Sequence, residues 1–158
     1  YCRHRGCLIL HGYLYVYSEG TGSERIKRGH RIFCSNRKRR AGCGRTFSIL
    51  VSKFIKKYII TASTLWNYLD KVSDGLSLAK AFEESGSNLG PTSIYRLFSK
   101  FRNNQVRIRS LLSRLRYTPE LPEVKAVHIQ TIFHLKSVFE KTECPVSRFQ
   151  HHFQRSFL

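Results

Sequence analysis

Cys34 and Cys43 bracket four consecutive basic residues, Arg37, Lys38, Arg39 and Arg40, and Arg45 follows closely. A second cysteine pair, Cys2 and Cys7, stands at the start of the chain. The chemistry on offer is thiolate ligation: two cysteine pairs, each closed by a short loop, can supply a tetrahedral zinc site. Gly42 and Gly44 flank Cys43 and let the backbone turn tightly, so that amides can point at a thiolate sulfur. Zinc is therefore the expected cofactor, with Cys2, Cys7, Cys34 and Cys43 as candidate ligands. The charges inside the second pair form a flexible loop suited to phosphate, so Arg37, Lys38, Arg39, Arg40 and Arg45 are candidate nucleic-acid contacts.

The first pair admits two readings. Cys2 and Cys7 match a Cys-x4-Cys knuckle as they stand. Equally, Tyr1-Cys2 can be the end of a Cys-Pro-Tyr-Cys knuckle whose first cysteine precedes residue 1, leaving Cys7 as a small apolar residue opening a strand. Methionine is absent, so the numbered chain is expected to begin inside a longer protein. The plainer alternative is that all these cysteines are small buried thiols. Cys144, alone beside Pro145, is expected in a core.

Composition narrows the class. In 158 residues, 28 Lys and Arg against 10 Asp and Glu give a net charge of +18, and such a chain attracts polyanions, above all nucleic acid. At 41% hydrophobic it can bury a core. No apolar run approaches the roughly 20 residues of a membrane-spanning helix, and no secretory signal opens the sequence. Unpaired by any disulfide framework, the cysteines belong in a reducing compartment; the expected place is the cytoplasm, in association with the nucleoid.

The elements that must position these residues follow from periodicity. Residues 8–17 alternate, with Tyr13, Tyr15 and Tyr17 on one parity and Leu14 and Val16 on the other, which predicts a strand covered on both faces. Gly20 to Ser23 reads as a turn, residues 25–33 as a returning strand, and residues 46–51 as a third. In so small a sheet the tyrosines are expected to pack rather than to stack on bases. From Thr61 the period changes to that of a helix, with Thr61 as cap and Leu65, Trp66, Leu69 and Val72 on one face. A second helix is expected over residues 76–85, with Leu78, Ala79 and Phe82 inward. A third starts after Pro91 and reaches toward residue 116 along a seam of Ile94, Phe98, Phe101, Ile108, Leu112 and Leu115, which suits a partner helix within the chain or across a homodimer. These three helices describe a helix-turn-helix, whose third helix leaves Thr92, Ser93, Tyr95, Arg96, Ser99, Lys100 and Arg102 for a DNA groove. Beyond a stiff linker at residues 118–122, an amphipathic helix is expected over residues 124–141, with Val127, Ile132, Leu135 and Phe139 on its apolar face. Phe149, Phe153 and Phe157 then form a buried stripe. The fold class is α+β: a small N-terminal β zinc ribbon over residues 1–55, a helical region over 61–116, and C-terminal helices over 119–158.

Cys-x4-Cys, Arg31-Ile32-Phe33-Cys34, Gly42 to Ser48 and the helices after them resemble transposase-associated zinc-ribbon proteins of bacterial insertion sequences. The resemblance spans about residues 1–110 and is most specific from Cys34 to Ser48. It implies that Cys2, Cys34 and Cys43, with Cys7 or an upstream cysteine, hold zinc, and that the helix-turn-helix binds DNA at an element end or target. The chain departs from that family by placing eight residues, 35–42, between Cys34 and Cys43, where such ribbons usually have two.

An enzyme is not expected. Strand transfer needs carboxylates around two metal ions, whereas the chain has two aspartates, Asp70 and Asp74, near the end of one helix. The expected function is that of a zinc-dependent binder of double-stranded DNA, the recognition component of a transposition system beside a separate transposase or recombinase chain. The alternatives are a transcriptional regulator, an RNA-binding zinc-ribbon protein and a basic assembly adaptor.

Overall fold

A computed structural model describes residues 5–17, 24–87, 89–117 and 126–158, and resolves the chain into two compact units, residues 1–51 and 52–158. The first unit is a three-stranded antiparallel sheet in the order β1-β2-β3, with β1 Leu8–Tyr17, β2 Arg25–Cys34 and β3 Thr46–Leu50. Leu8 pairs with Cys34 at one end and Tyr17 with Arg25 at the other; the register shifts between Leu10 and Gly12 and between Leu14 and Tyr15. The expected turn at residues 20–23 and the linker at 118–122 lie outside the described residues.

β1 departs from expectation. It is not covered on both faces: Tyr13, Tyr15 and Tyr17 are 47%, 48% and 58% exposed, while Leu14 and Val16 on the other parity are half-buried. Alternation alone reports that two faces differ, not that a second layer exists to cover them. Among the described residues of this unit, only Cys7, Gly29, Cys34 and Ser35 are buried.

The second unit is helical. α1 (Ala62–Ser73) is capped by the Thr61 hydroxyl, which accepts from the Thr64 amide at 3.1 Å, and it ends at Asp74. Leu65, Trp66, Leu69 and Val72 are buried as the period predicts, joined by Tyr68. α2 (Leu78–Glu83) is shorter than expected, because the Ser77 hydroxyl caps it late. That start turns Ala81 and Phe82 inward and leaves Ala79 exposed, so Ala79 is not a core residue. α3 (Pro91–Leu112) begins with Pro91 in its first turn, where the missing amide costs nothing. Its seam of Ile94, Phe98, Phe101, Ile108 and Leu112 is buried within the chain, and only Leu115, beyond the helix, is left 44% exposed.

α4 (Val127–Val138) and α5 (Pro145–Phe153) complete the same core. α4 buries Ile132 and Leu135 as expected, but Val127 is half exposed and Thr131 and His134 are buried instead. Phe157 is fully buried although α5 ends at Phe153: Gln154 turns left-handed (φ 51°) and carries the chain back. Phe157 then stacks on Phe101 at 5.9 Å and meets Phe149 edge-on at 5.3 Å. Gln150 ties this end down, its amide donating to the Ser52 and Phe54 carbonyls while its oxygen accepts from the Phe157 amide. No helix among the described residues is long and apolar enough to cross a membrane.

Candidate nucleic-acid interface

The Cys34–Cys43 loop is closed at its base by the backbone. The Cys34 amide donates to the Arg45 carbonyl (2.9 Å), the Gly44 amide to the Cys34 carbonyl (2.9 Å), and the Gly42 amide to the Ser35 carbonyl (3.0 Å). The Cys43 amide donates to the Cys34 sulfur at 3.3 Å, the amide-to-sulfur contact that the flanking glycines predict. Gly42 is there for space: a Cβ would fall 2.1 Å from the Ser35 carbonyl oxygen.

The loop tip is a tight turn rather than an open, flexible segment. The Arg40 amide donates to the Arg37 carbonyl at 3.1 Å, and the two central residues, Lys38 and Arg39, both have positive φ (52° and 62°). Positive φ at both central positions marks a primed turn, where glycine and asparagine are usual. Two basic residues are thus held at the apex in a backbone conformation that costs roughly 1–3 kcal/mol each. Arg37, Lys38, Arg39, Arg40 and Arg45 are all exposed, with the Arg37 guanidinium 5.7 Å from the Phe33 ring centre.

Of the four predicted metal ligands, Cys2 lies outside the described residues. Cys7 and Cys34 are buried and adjacent through the backbone, since the Ser35 amide donates to the Cys7 carbonyl at 2.7 Å; Cys43 is half-buried. None of the described cysteines is in a disulfide. The described residues hold no group of three or more His, Cys, Asp or Glu side chains able to bind a metal ion, so by themselves they do not complete a tetrahedral site. Cys144 sits at the start of α5, packed against the helical core, with its thiol pushed up by burial.

α3 carries the second set of candidates. Thr92, Tyr95, Arg96, Ser99, Lys100 and Arg102 are exposed, and Ser93 is half-buried. They occupy the face opposite the buried seam, and the helix contains no acidic residue. The ion pairs among the described residues are Lys71–Glu84, Lys136–Asp70 and Arg116–Glu140, none of which engages that face. A shallow groove of about 620 Å³ runs beside it, lined by Tyr95, Phe98, Arg102 and Val106 with Leu78 and Val127. Arg107, further along, is structural: its guanidinium donates to the Ser156 and Phe157 carbonyls at 2.8 and 3.1 Å.

One cluster escaped the expected set. On the sheet, Lys27 Nζ lies 4.1 Å from the Tyr13 ring centre and the Arg25 guanidinium 4.7 Å from that of Tyr15. The tyrosines make the expected cross-strand contacts, yet they are not core residues, and the alternation in the sequence does not tell whether another layer covers them. Comparison with protein-family models, with curated proteins and with solved structures found no match for this chain.

Proposed function

We propose that this chain is a zinc-dependent DNA-binding protein, the recognition component of a bacterial transposition system that works on nucleoid DNA. The observation that carries the reading is the first three turns of α3, where Arg96, Lys100 and Arg102 stand exposed with no ion-pair partner among the described residues. An exposed cationic helix face on a packed helical core fits a recognition helix entering the major groove, where guanidinium groups reach guanine edges and lysines reach phosphates. The turn of Arg37 to Arg40 would add sequence-independent phosphate contacts. Zinc would be held by Cys34 and Cys43, whose amide-to-sulfur contact suits a thiolate pair, together with Cys7 and Cys2; its role would be to hold the loop, not to react.

Strand transfer is assigned to a separate transposase or recombinase chain. It requires carboxylates grouped around two metal ions, whereas the chain's two aspartates, Asp70 and Asp74, stand near the end of α1 and Asp70 is paired with Lys136. The test is the salt dependence of duplex DNA affinity. If the turn and α3 neutralise about six to eight phosphates, log K against log salt falls with a slope near −5 to −7. A slope near zero rejects the DNA reading and favours a basic adaptor.

A further inference from the structure

The tyrosine face of the sheet has the chemistry of a binding surface. Tyr13, Tyr15 and Tyr17 occupy alternate positions of β1 and are about half exposed. The Tyr13 and Tyr15 ring centres are 6.4 Å apart with their planes inclined at 64°, so the two rings offer separate faces to separate bases rather than one continuous stack. β2 sets a cation against each of the first two rings, Lys27 at Tyr13 and Arg25 at Tyr15, and His30 meets Tyr13 edge-on at 5.4 Å. No ion pair among the described residues engages Arg25 or Lys27. A protein partner would have to bring carboxylates to this row. A single nucleic-acid strand brings both negative charge and flat rings free to splay, the two kinds of group that a row of aromatic rings and cations can hold.

We propose that this face binds single-stranded DNA along β1, with Tyr13, Tyr15 and Tyr17 stacking on bases and Arg25 and Lys27 meeting phosphates. The cations resting on the rings do not block it. A surface cation–π contact is worth roughly two- to fivefold in affinity, whereas one stacked base is worth roughly five- to a hundredfold. An arriving base therefore displaces the cation from the ring, and the released charge turns to the backbone. Ile49 of β3, opposite His30, extends the face with an apolar side chain, and DNA is the strand expected here because the inference rests on the duplex-DNA reading of α3. The site is distinct from the duplex contacts assigned to α3. Together they would let one chain hold a duplex and an unpaired strand.

The test uses the full chain with zinc added and the fluorescence anisotropy of a labelled oligo(dT) of about 12 nucleotides, within the usual site sizes for such surfaces. Tyr15→Ala and Tyr17→Ala are each expected to weaken oligo(dT) binding about fivefold or more, and Tyr15→Phe, which keeps the ring, to stay within about twofold. If Tyr15→Ala disturbs the sheet by circular dichroism, Tyr15→Leu keeps an apolar side chain, lacks the aromatic face and should lose the same affinity. Arg96→Ala should leave oligo(dT) binding unchanged, so this site and the duplex site fail separately. Equal affinity for wild type, Tyr15→Ala and Tyr15→Leu overturns the proposal. So does a Tyr15→Phe loss as large as that of alanine, or tighter binding of oligo(U) than of oligo(dT).

Discussion

Arg96 and the Lys38–Arg39 pair are both exposed and basic, and the proposed function gives them different work. Arg96 lies on a regular helix about one turn from its start, so the helix fixes the point and direction from which its side chain leaves, the frame from which a guanidinium can reach a guanine edge. Lys38 and Arg39 sit at the apex of a turn, where charge is presented without a base-reading frame. Arg96→Ala should therefore cost about 1–3 kcal/mol on a preferred duplex site and much less on random DNA. Lys38→Ala with Arg39→Ala should weaken both alike and flatten the salt slope by roughly two units. Affinities of both variants for specific and random duplex, repeated across salt, check this; equal losses for Arg96→Ala on the two duplexes would remove α3 as the reader. His134 yields a residue-level prediction of stability. Its Nε2 contacts the Arg116 carbonyl at 3.0 Å, and its other ring nitrogen is buried without a hydrogen-bond partner. Burial holds its pKa below the usual histidine value, and nearby Arg109 acts in the same direction against the hydrogen bond. The unfolded chain thus binds the proton more readily, so the contribution is complete above about pH 6.5 and is lost as pH falls toward the lower folded value. Thermal midpoints should drop from pH 7.5 to 5.5, and less steeply in His134→Gln.

The Cys34–Cys43 loop is an element whose shape rests on one missing side chain. Its backbone closes so tightly that a Cβ at position 42 meets the Ser35 carbonyl at 2.1 Å, and backbone cannot yield as a flexible side chain does. Gly42→Ala should displace the Gly42-to-Ser35 hydrogen bond, move Cys43 off the Cys34 sulfur, and cost about 1–3 kcal/mol by analogy with overpacked cores. The expected readouts are weaker zinc retention and weaker duplex binding at unchanged helical content. Wild-type zinc retention in Gly42→Ala would count against the metal site proposed for this loop. α3 shows the opposite economy. One face is spent on the core, Arg107 is spent on the chain end, and what remains outward in its first three turns is cationic.

At the scale of the molecule, the two units draw on different sources of stability. The helical unit has a continuous core, from Ile55 through Leu65, Leu97, Phe101 and Ile132 to Phe157. The sheet unit buries little beyond two cysteines, Gly29 and Ser35 among its described residues, and a sheet that small rarely supports itself without a metal or a staple. Chelation, or Cys34→Ser, should therefore unfold the sheet alone. Trp66 is the sole tryptophan and lies in the helical unit, so its emission should stay native while the tyrosine environment and β signal are lost. Loss of both signals together would show that the units fold as one.

Where local chemistry decides structure, the sequence sufficed. The Thr61 cap and Pro91 opening α3 are set by side chains acting on their own backbone, and they were legible residue by residue, as were the three strand positions from their alternation and flanking turns. The amide aimed at the Cys34 sulfur was legible for the same reason, from the glycines beside Cys43. Burial was not, because it depends on what arrives from elsewhere. Nothing in residues 8–17 tells whether a second layer covers Tyr13, Tyr15 and Tyr17; only the tertiary structure leaves that face open. The spacing of Phe149, Phe153 and Phe157 implies one helical stripe, yet α5 stops at Phe153 and Phe157 reaches the core through the left-handed turn at Gln154. The partner of the α3 seam was likewise open between an internal helix and a second chain, and it was settled by helices whose contacts with α3 are long-range.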